Sequence, residues 1–487
     1  MDDIIIDDME EGKALPTNQN NKLNSAHNAS NVVPHVQLFE KLLSEITPID
    51  FHLEAQLGKD ERLKDKHIVV VAVDKIIEAA IKHNWGLMVR NSQVSIYNGA
   101  YWLQLEEEQV MHFLLKSIEK LGHRPVDSKY HRFVKDLYSQ FLVSNFMPAP
   151  EKECNEVLIN FKNGTLIIDG NGAVYFREFR KEDYLFYQLG FNFDPEAEAP
   201  KFRKYLIRVL TEYEERKILA EYCGYTFLKN STLKLEKALI LYGNGSNGKS
   251  AFFEILTAML GPDNVTSYSL QSLTNENGYT RAKIQNKLLN YASEISVKMD
   301  SVNFKALASG EPIEARLPYG EPFMLKNYAR LIFNTNELPR EIEHNDAFFR
   351  RFLILHFDQK ISDSEKDPQL SYKIIENELP GVFNWVIEGL YRLIKQKNFT
   401  KSEKAEKTSI AYQQQSDSVF SFLDDMGYAK GDINKMPLQS MYSEYKTYCD
   451  SYGYRACALK SLSERLRRHG YDVIRYAKGH VVHYKKL

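Results

Sequence analysis

Two rhythms of apolar and polar residues alternate along the chain. Between about 35 and 145 the spacing is helical. Leu38-Phe39, Leu42-Leu43 and Ile46 fall on one face, and residues 68–81 supply a second apolar helix. A hairpin-like piece interrupts them: Val94, Ile96 and Tyr97 precede Asn98-Gly99, and Tyr101-Trp102-Leu103 follow. Asn-Gly between apolar runs is a strong turn signal. From 155 to 235 the pattern predicts short strands over 157–161 and 165–168 around Asn163-Gly164. A loop from Asp194-Pro195 to Pro200 follows, then a helix over 202–227 with Leu206, Val209-Leu210 and Leu219 on one face. Continuous apolar runs come next, as strands buried on both faces of a parallel sheet require: 238–242, 287–294, 329–336 and 353–357. Beyond a charged helical linker over 401–407, the pattern predicts helices at 419–426, 438–448 and 459–469. Two strands, 473–476 and 481–484, sit around Lys478-Gly479.

Composition changes the picture at the two ends. Residues 1 to about 34 hold an acidic patch around Ile4-Ile5-Ile6 and then an Asn-rich stretch. Such a composition cannot bury enough surface to order itself, so a flexible tail is expected. Overall, 63 basic residues stand against 65 acidic ones, a formal net charge of −2, so any nucleic-acid surface must be local. From 455 onward cations dominate, with Arg465, Arg467, Arg468 and Lys478 interleaved with Tyr and His. Three helices and a two-stranded wing with that charge describe a winged helix-turn-helix, the footprint of a DNA-binding module; a solvated basic packing helix is the bland alternative. The four cysteines show no CxxC spacing, and no apolar run is long enough to span a bilayer. A cytoplasmic, reducing location is expected.

The chemistry concentrates after the first long apolar strand. Gly243-Asn244-Gly245-Ser246-Asn247-Gly248-Lys249-Ser250 is a complete P-loop between a strand and a helix. Its glycines let backbone N–H groups turn toward phosphate oxygens, and the helix N-terminus adds its positive dipole end. Lys249 suits the β- and γ-phosphates of ATP, and the Ser250 hydroxyl suits Mg²⁺. The 287–294 strand ends at Glu294, where a carboxylate can serve Mg²⁺ and the attacking water. The 329–336 strand ends at Asn336, a water-orienting or γ-phosphate-sensing residue, unless it only begins the turn before Pro339. Arg350 and Arg351 follow, either of which can supply a guanidinium to a transferring phosphoryl group, often across a subunit boundary; a surface ion pair is the plain reading.

The set and its order resemble the superfamily 3 helicases of the AAA+ class, closest to phage and plasmid primase-helicases, poxvirus primase-helicase and replication initiators of mobile genetic islands. The residues carrying the likeness are 243–250, 287–294, 305–313 with Ala315-Arg316, 333–336 and 346–351. Asn160 to Gly164, Cys223-Gly224-Tyr225, 379–385 and Glu388-Gly389-Leu390 extend it over roughly 90–487. By that resemblance Lys249 and Ser250 hold nucleotide and Mg²⁺, Glu294 is the catalytic carboxylate, Asn336 the polar sensor, and Arg350 or Arg351 the finger in trans. The stretch between Lys305 and Lys326 would contain a pore hairpin, with Arg316 and Lys326 on phosphates and Tyr319 stacking on a base. Ser293 precedes Glu294 where many ring helicases carry a second acid, and Gly320-Glu321 stands where a Lys is common.

The expected fold is α/β, an AAA+ P-loop core with a mainly helical N-terminal region and a C-terminal winged-helix domain. The expected boundaries are 1–34 tail, 35–150 helical domain, 151–235 collar, 236–400 core and 401–487 winged helix. The expected function is an ATP- and Mg²⁺-dependent ring helicase, hexameric by resemblance, acting in replication initiation of a mobile element and moving 3′ to 5′. Single-stranded DNA would occupy the pore and duplex DNA the winged helix, with replication proteins as possible partners and no membrane. The segment ahead of the core leaves too little room for a primase domain, so primase activity is not expected. An AAA+ initiator or loader that does not translocate is the alternative.

Overall fold

The computed structural model describes residues 32–83, 85–90, 93–145, 156–170, 172–229, 232–293, 295, 299–318, 320–336, 338, 346–454, 456–477 and 479–486. Glu294, Tyr319, Lys478 and most of the acidic tail lie outside them. By its internal contacts the chain divides into two compact units, Met1–Ala197 and Glu198–Leu487.

The first unit combines helices with two small antiparallel sheets. Helices His35–Glu45, Asp65–Lys82, Glu107–Lys120 and His131–Ser144 bury Leu38, Leu42, Ala72, Ile76, Leu114 and Leu137 in one core. Strands β1 (Gly86–Arg90), β2 (Gln93–Tyr97) and β3 (Trp102–Gln104) form one sheet. The Asn98-Gly99 turn joins β2 to β3, and the Asn98 side chain accepts from the N–H groups of Ala100 and Tyr101 at 2.9 and 3.0 Å. Strands β4 (Val157–Phe161), β5 (Gly164–Ile168) and β6 (Val174–Arg177) form the other. Asn160 and Asn163, two residues of the resemblance motif, have structural work here. Asn160 Nδ2 donates to Ala100 O and Tyr187 O, and Asn163 exchanges two hydrogen bonds with the Phe193 backbone.

The second unit is built on a five-stranded parallel sheet. Its strands are β7 (Ala238–Tyr242), β8 (Val265–Thr266), β9 (Leu289–Ala292), β12 (Arg330–Thr335) and β13 (Phe352–His356), in the order β13-β7-β12-β9-β8. A separate hairpin, β10 (Ile313–Ala315) with β11 (Phe323–Leu325), stands between β9 and β12 in sequence. β7 reads Ala-Leu-Ile-Leu-Tyr and its first four residues are buried, the signature of a strand covered on both faces. In this unit the expected helix over 202–227 is two helices, Pro200–Val209 and Tyr213–Tyr225. Leu210 turns extended, and Arg216 Nη1 donates to the carbonyls of Leu210 and Thr211, which holds the corner.

Two further resemblance motifs explain a close helix crossing. Helix Tyr213–Tyr225 runs against helix Leu379–Gln396. A Cβ on Gly224 would stand 2.6 Å from Leu390 Cβ, and one on Gly389 would stand 2.4 Å from the Ala220 carbonyl carbon. Beside the crossing, Tyr225 carries the Arg330 guanidinium over its ring at 3.9 Å. The charged helical linker expected over 401–407 is helical, as the start of the longer helix Glu403–Gln415, whose Tyr412 is buried beside Phe349 and Phe352.

The C-terminal end carries helices Ser418–Asp425, Leu438–Tyr452 and Leu459–Arg468. With them stands an antiparallel sheet of β14 (Tyr428–Pro437), β15 (Val473–Tyr476) and β16 (Gly479–Lys486), in the order β14-β16-β15. β14 is an additional strand. Gly431, Asn434 and Pro437 break its alternation, and its pairing shifts register between Ala429 and Asn434. Among the described residues, no helix is long and apolar enough to cross a membrane.

Adding a methyl group at a well-packed backbone contact costs about 1–3 kcal/mol. Gly389→Ala should therefore lower the thermal unfolding midpoint by several degrees. Gly190→Ala, whose new Cβ would meet nothing within 4 Å, should leave it unchanged. Thermal melts of both variants check this.

Candidate functional site

Three strands converge where β7 ends. Gly243 N donates to Thr335 O at the end of β12 (3.1 Å), and Phe357 N, just past β13, donates to Tyr242 O (2.7 Å). The crevice at the carboxyl ends of parallel strands is where such sheets bind ligands. The chain from Gly243 to Gly248 turns there through left-handed backbone, with φ of 83° at Gly245, 50° at Ser246 and 89° at Gly248. A side chain at Gly248 would come within 2.7 Å of Val209, and one at Gly243 within 2.4 Å of Phe357 O. Glycine is required at both by space as well as by φ.

The loop is held from outside. Asn247 Nδ2 donates to Phe357 O (3.0 Å), Ile361 N donates to Ser246 O (2.8 Å), and the Tyr205 hydroxyl donates to Gly248 O (2.8 Å). Helix Lys249–Leu260 begins at once, and no side chain caps its N-terminus. Its first N–H groups are the donors that an anion satisfies.

Lys249 is 6% exposed. Its Nζ donates to Gly243 O (2.5 Å), Asn247 Oδ1 (3.1 Å) and Asn336 Oδ1 (3.3 Å), all neutral oxygens. Burial, with no carboxylate among its partners in the described residues, pulls its pKa down from the ordinary lysine value to about 8. A buried cation among neutral acceptors beside an uncapped helix N-terminus fits a polyphosphate, whose charge supplies what the protein lacks. Ser250 lies exposed in the first helical turn, where its hydroxyl can meet a phosphate-bound Mg²⁺. The structure thus brings Lys249, Asn247 and Asn336 together. The role of Asn247 as a brace between Lys249 and Phe357, just past β13, is not legible in the motif.

The two candidate arginines lie elsewhere. They precede β13, whose Phe352 pairs with Ala238 at the start of β7. The five residues of β7 separate them from the P-loop by about 16 Å at strand rise. Arg351 is 8% exposed; its Nε donates to Ser309 Oγ (3.0 Å) and its Nη1 to Ala347 O. Arg350 projects outward, its side chain 62% exposed, with Nη2 3.2 Å from Glu236 Oε2. The hairpin expected between Lys305 and Lys326 is present as β10–β11, with Arg316 and Lys326 exposed at its two legs and Arg316 Nε bonded to Gly320 O at 2.9 Å.

At the C-terminal end the basic residues divide. Arg465 Nη1 lies 3.2 Å from Asp417 Oδ1, whose other oxygen meets His469 Nε2 at 2.9 Å, and Arg467 donates to Val473 O. Arg467 and Arg468 are exposed, as are Lys460, Arg475 and Lys485.

Three family descriptions match the chain. "D5 N terminal like" covers residues 63–211, "Family of unknown function (DUF5906)" covers 241–351, which holds the P-loop, and "Poxvirus D5 protein-like" covers 414–486. The chain is 25% identical over 246 residues to "Putative helicase L207/L206" of Acanthamoeba polyphaga mimivirus, covering 47% of this chain and 24% of that protein. It is 21% identical over 334 residues to "Putative helicase 121R" of Invertebrate iridescent virus 3, covering 60% and 35%. It therefore spans about a quarter and a third of the length of these two relatives. These matches make parts of the chain similar to poxvirus D5-like domains and to viral proteins named as helicases. Among solved structures, the A form apo structure of the NrS-1 C terminal region aligns with a TM-score of 0.47 at 10% identity, over 84% of this chain and 98% of that one. A second apo structure of that region aligns at 0.44 and 12% identity with the same coverage.

Because only the Lys249 ammonium attracts polyphosphate, affinity for ATP should fall as pH rises past about 8, by at most about tenfold per pH unit. The lowered pKa also means that the unfolded chain binds the extra proton between about 8 and the ordinary lysine value, so stability should rise with pH across that window. Titrating a fluorescent ATP analogue from pH 7 to 9.5 checks the first expectation. Lys249→Met should bind weakly and without this pH dependence.

Proposed function

We propose that the chain is an ATP-dependent DNA helicase of the AAA+ superfamily 3 type, assembling as a ring, with a hexamer the expected number. It would serve replication initiation of a phage, plasmid or genomic island. The observation that carries this reading is the buried Lys249, held by Asn247 and Asn336 at the carboxyl edge of a parallel sheet, beside an uncapped helix N-terminus. Bound Mg²⁺-ATP supplies the phosphoanhydride whose hydrolysis drives the cycle. Backbone N–H groups of Gly245 to Ser250 and the Lys249 ammonium hold its phosphates, and Ser250 with Glu294 is the assigned Mg²⁺ pair. Glu294 is assigned to activate the attacking water and Asn336 to orient it or sense the γ-phosphate.

Of the two arginines, Arg350 takes the finger role. It is exposed, whereas Arg351 is spent on Ser309, Ala347 and Glu236, and both lie a strand's length from their own P-loop. Its exposure supports assigning Arg350 to a neighbouring subunit's nucleotide. The β10–β11 hairpin is assigned to single-stranded DNA in the pore through Arg316, Tyr319 and Lys326, with 3′-to-5′ travel. The C-terminal helices and three-stranded sheet are assigned as a winged helix on duplex DNA, through Arg468 and Lys478, with Arg465 and Arg467 partly committed to internal partners.

Strand displacement on a forked DNA with a 3′ tail tests the whole reading. Wild type should unwind it, and Glu294→Gln should bind ATP without hydrolysis or unwinding. DNA-dependent hydrolysis by wild type without displacement would instead favour an initiator or loader. Mixing Arg350→Ala with Lys249→Ala should restore part of the ATP hydrolysis, because each supplies what the other lacks at a shared interface. Arg351→Ala should give no such rescue.

A further inference from the structure

We propose that Arg281 is a positioning residue that couples the nucleotide-binding half of the sheet to the β10–β11 hairpin; this rests on the reading of Gly243–Ser250 as an ATP site. Arg281 lies in the short helix Tyr279–Lys283 and is 3% exposed. Its Nε donates to Glu314 O on β10 (2.7 Å), and its Nη1 donates to Leu273 O (3.1 Å) and to Asn275 O. One guanidinium thus ties the hairpin to the 273–275 segment through backbone acceptors alone.

The run around Arg281 grips both legs of the hairpin. On the β10 side, Arg316 N donates to Gly278 O (3.3 Å), and a side chain at Gly278 would press on Arg281 Nη2 and Ala315 Cα. On the β11 side, Asn286 N donates to Asn327 O and Ala329 N to Ile284 O, both at 3.1 Å. A second set of bonds leads from the same run to the far side of β9. Asp300 N donates to Thr274 Oγ1 (3.3 Å), and Asn303 Nδ2 donates to Thr274 O (3.0 Å), at the start of helix Ser301–Ser309. The run itself continues into β9, the strand that leads to Glu294. Residues 273–286 therefore bond to the chain on both sides of the hairpin and to the start of helix Ser301–Ser309, and lead into β9.

The chemistry of the tie favours transmission over mere support. Burial opposes the Arg281 charge, and the carboxylates that offset this are Glu314 on the hairpin and Asp300 past β9, one on each part that is joined. A planar fork with five fixed donors holds three carbonyls in one geometry, which a lysine ammonium on a flexible stem does not. Arg281→Lys therefore keeps the charge and most of the packing while losing the rigid three-way tie.

The test is amide hydrogen exchange of the full chain, followed on peptides spanning 313–325, with and without Mg²⁺ and a non-hydrolysable ATP analogue. In wild type the analogue should change hairpin exchange by about fivefold or more, the usual scale of coupling between sites. Arg281→Lys should bind the analogue with wild-type affinity and hydrolyse ATP at the wild-type basal rate, yet lose the hairpin response. A full hairpin response in Arg281→Lys overturns the proposal, as does its absence in wild type that binds the analogue. A parallel loss of analogue affinity and of protection throughout the unit also overturns it, reducing Arg281 to a structural residue. Failure of wild type to bind the analogue at all would fall on the ATP-site reading itself and remove the proposal with it.

Discussion

A lysine ammonium shut away from water among neutral oxygens is the constraint around which the second unit is built. Lys249 cannot keep its charge comfortably in that position, and it is kept there by a loop that is itself strained. A non-glycine residue in left-handed backbone costs of order 1 kcal/mol or more, and Ser246 is one. Such a turn persists only if its surroundings over-determine it. Tyr205 from the helix ahead of the sheet, Phe357 just past β13, and Ile361 beyond it supply that determination. The loop's conformation is therefore a property of three distant stretches of chain, and the eight-residue motif is the part that can be seen from sequence.

The same logic of burying charge with a purpose recurs in the helices behind the sheet. Glu221 is fully buried and accepts from Arg392 Nε (2.7 Å), Gln396 Nε2 (3.0 Å) and Thr400 N (2.7 Å), stitching helix Tyr213–Tyr225 to the end of helix Leu379–Gln396. Glu378 accepts from the N–H groups of Lys201 and Phe202 and so caps the helix that carries Tyr205. Glu215 meets Lys404, which also lies 2.8 Å from Asp358, the residue after Phe357. Desolvation pushes the Glu215 pKa up while Lys404 opposes it. Breaking a buried pair by removing one partner costs far more than the pair contributes, so these carboxylates specify which helix meets which. They connect the helix Glu403–Gln415 to the segment whose carbonyl positions Asn247.

How much of this was legible depends on whether the signal was local. The strands 238–242 and 473–476 and the Asn98-Gly99 turn each follow from short-range pattern, because strand burial and turn chemistry are written in adjacent residues, whereas the β10–β11 hairpin was expected from the resemblance. The P-loop was readable for the same reason. The corner at Leu210–Glu212 was not, since Arg216 fixes it by bonding back to two carbonyls and no breaker residue marks it. β14 was missed because its register shift and its Gly431, Asn434 and Pro437 erase alternation. Resemblance motifs such as Cys223-Gly224-Tyr225 and Glu388-Gly389-Leu390 could be noticed but not interpreted. Their meaning is a helix crossing too close for any side chain but hydrogen, and the partners are separated by well over a hundred residues.

Charge counted along a sequence overstates the charge available at a surface, and the C-terminal end shows by how much. Asp417 caps helix Ser418–Asp425 by accepting from Val419 and Phe420, and the same carboxylate meets Arg465 and His469. One acid thus gathers a helix start and two residues of the basic helix Leu459–Arg468, so Arg465 holds the domain together before it can hold a phosphate. Arg467 is likewise turned toward Val473 O at the start of β15. Arg467, Arg468 and Lys460 on the helix and Arg475, Lys485 and Lys486 on the sheet are exposed. Phosphate contacts need cations that can leave water for an anion without first abandoning a buried partner. The exposed cations of this end are therefore shared between the helix and the sheet beside it, and Arg465 of the arginine cluster read from the sequence contributes to its scaffold.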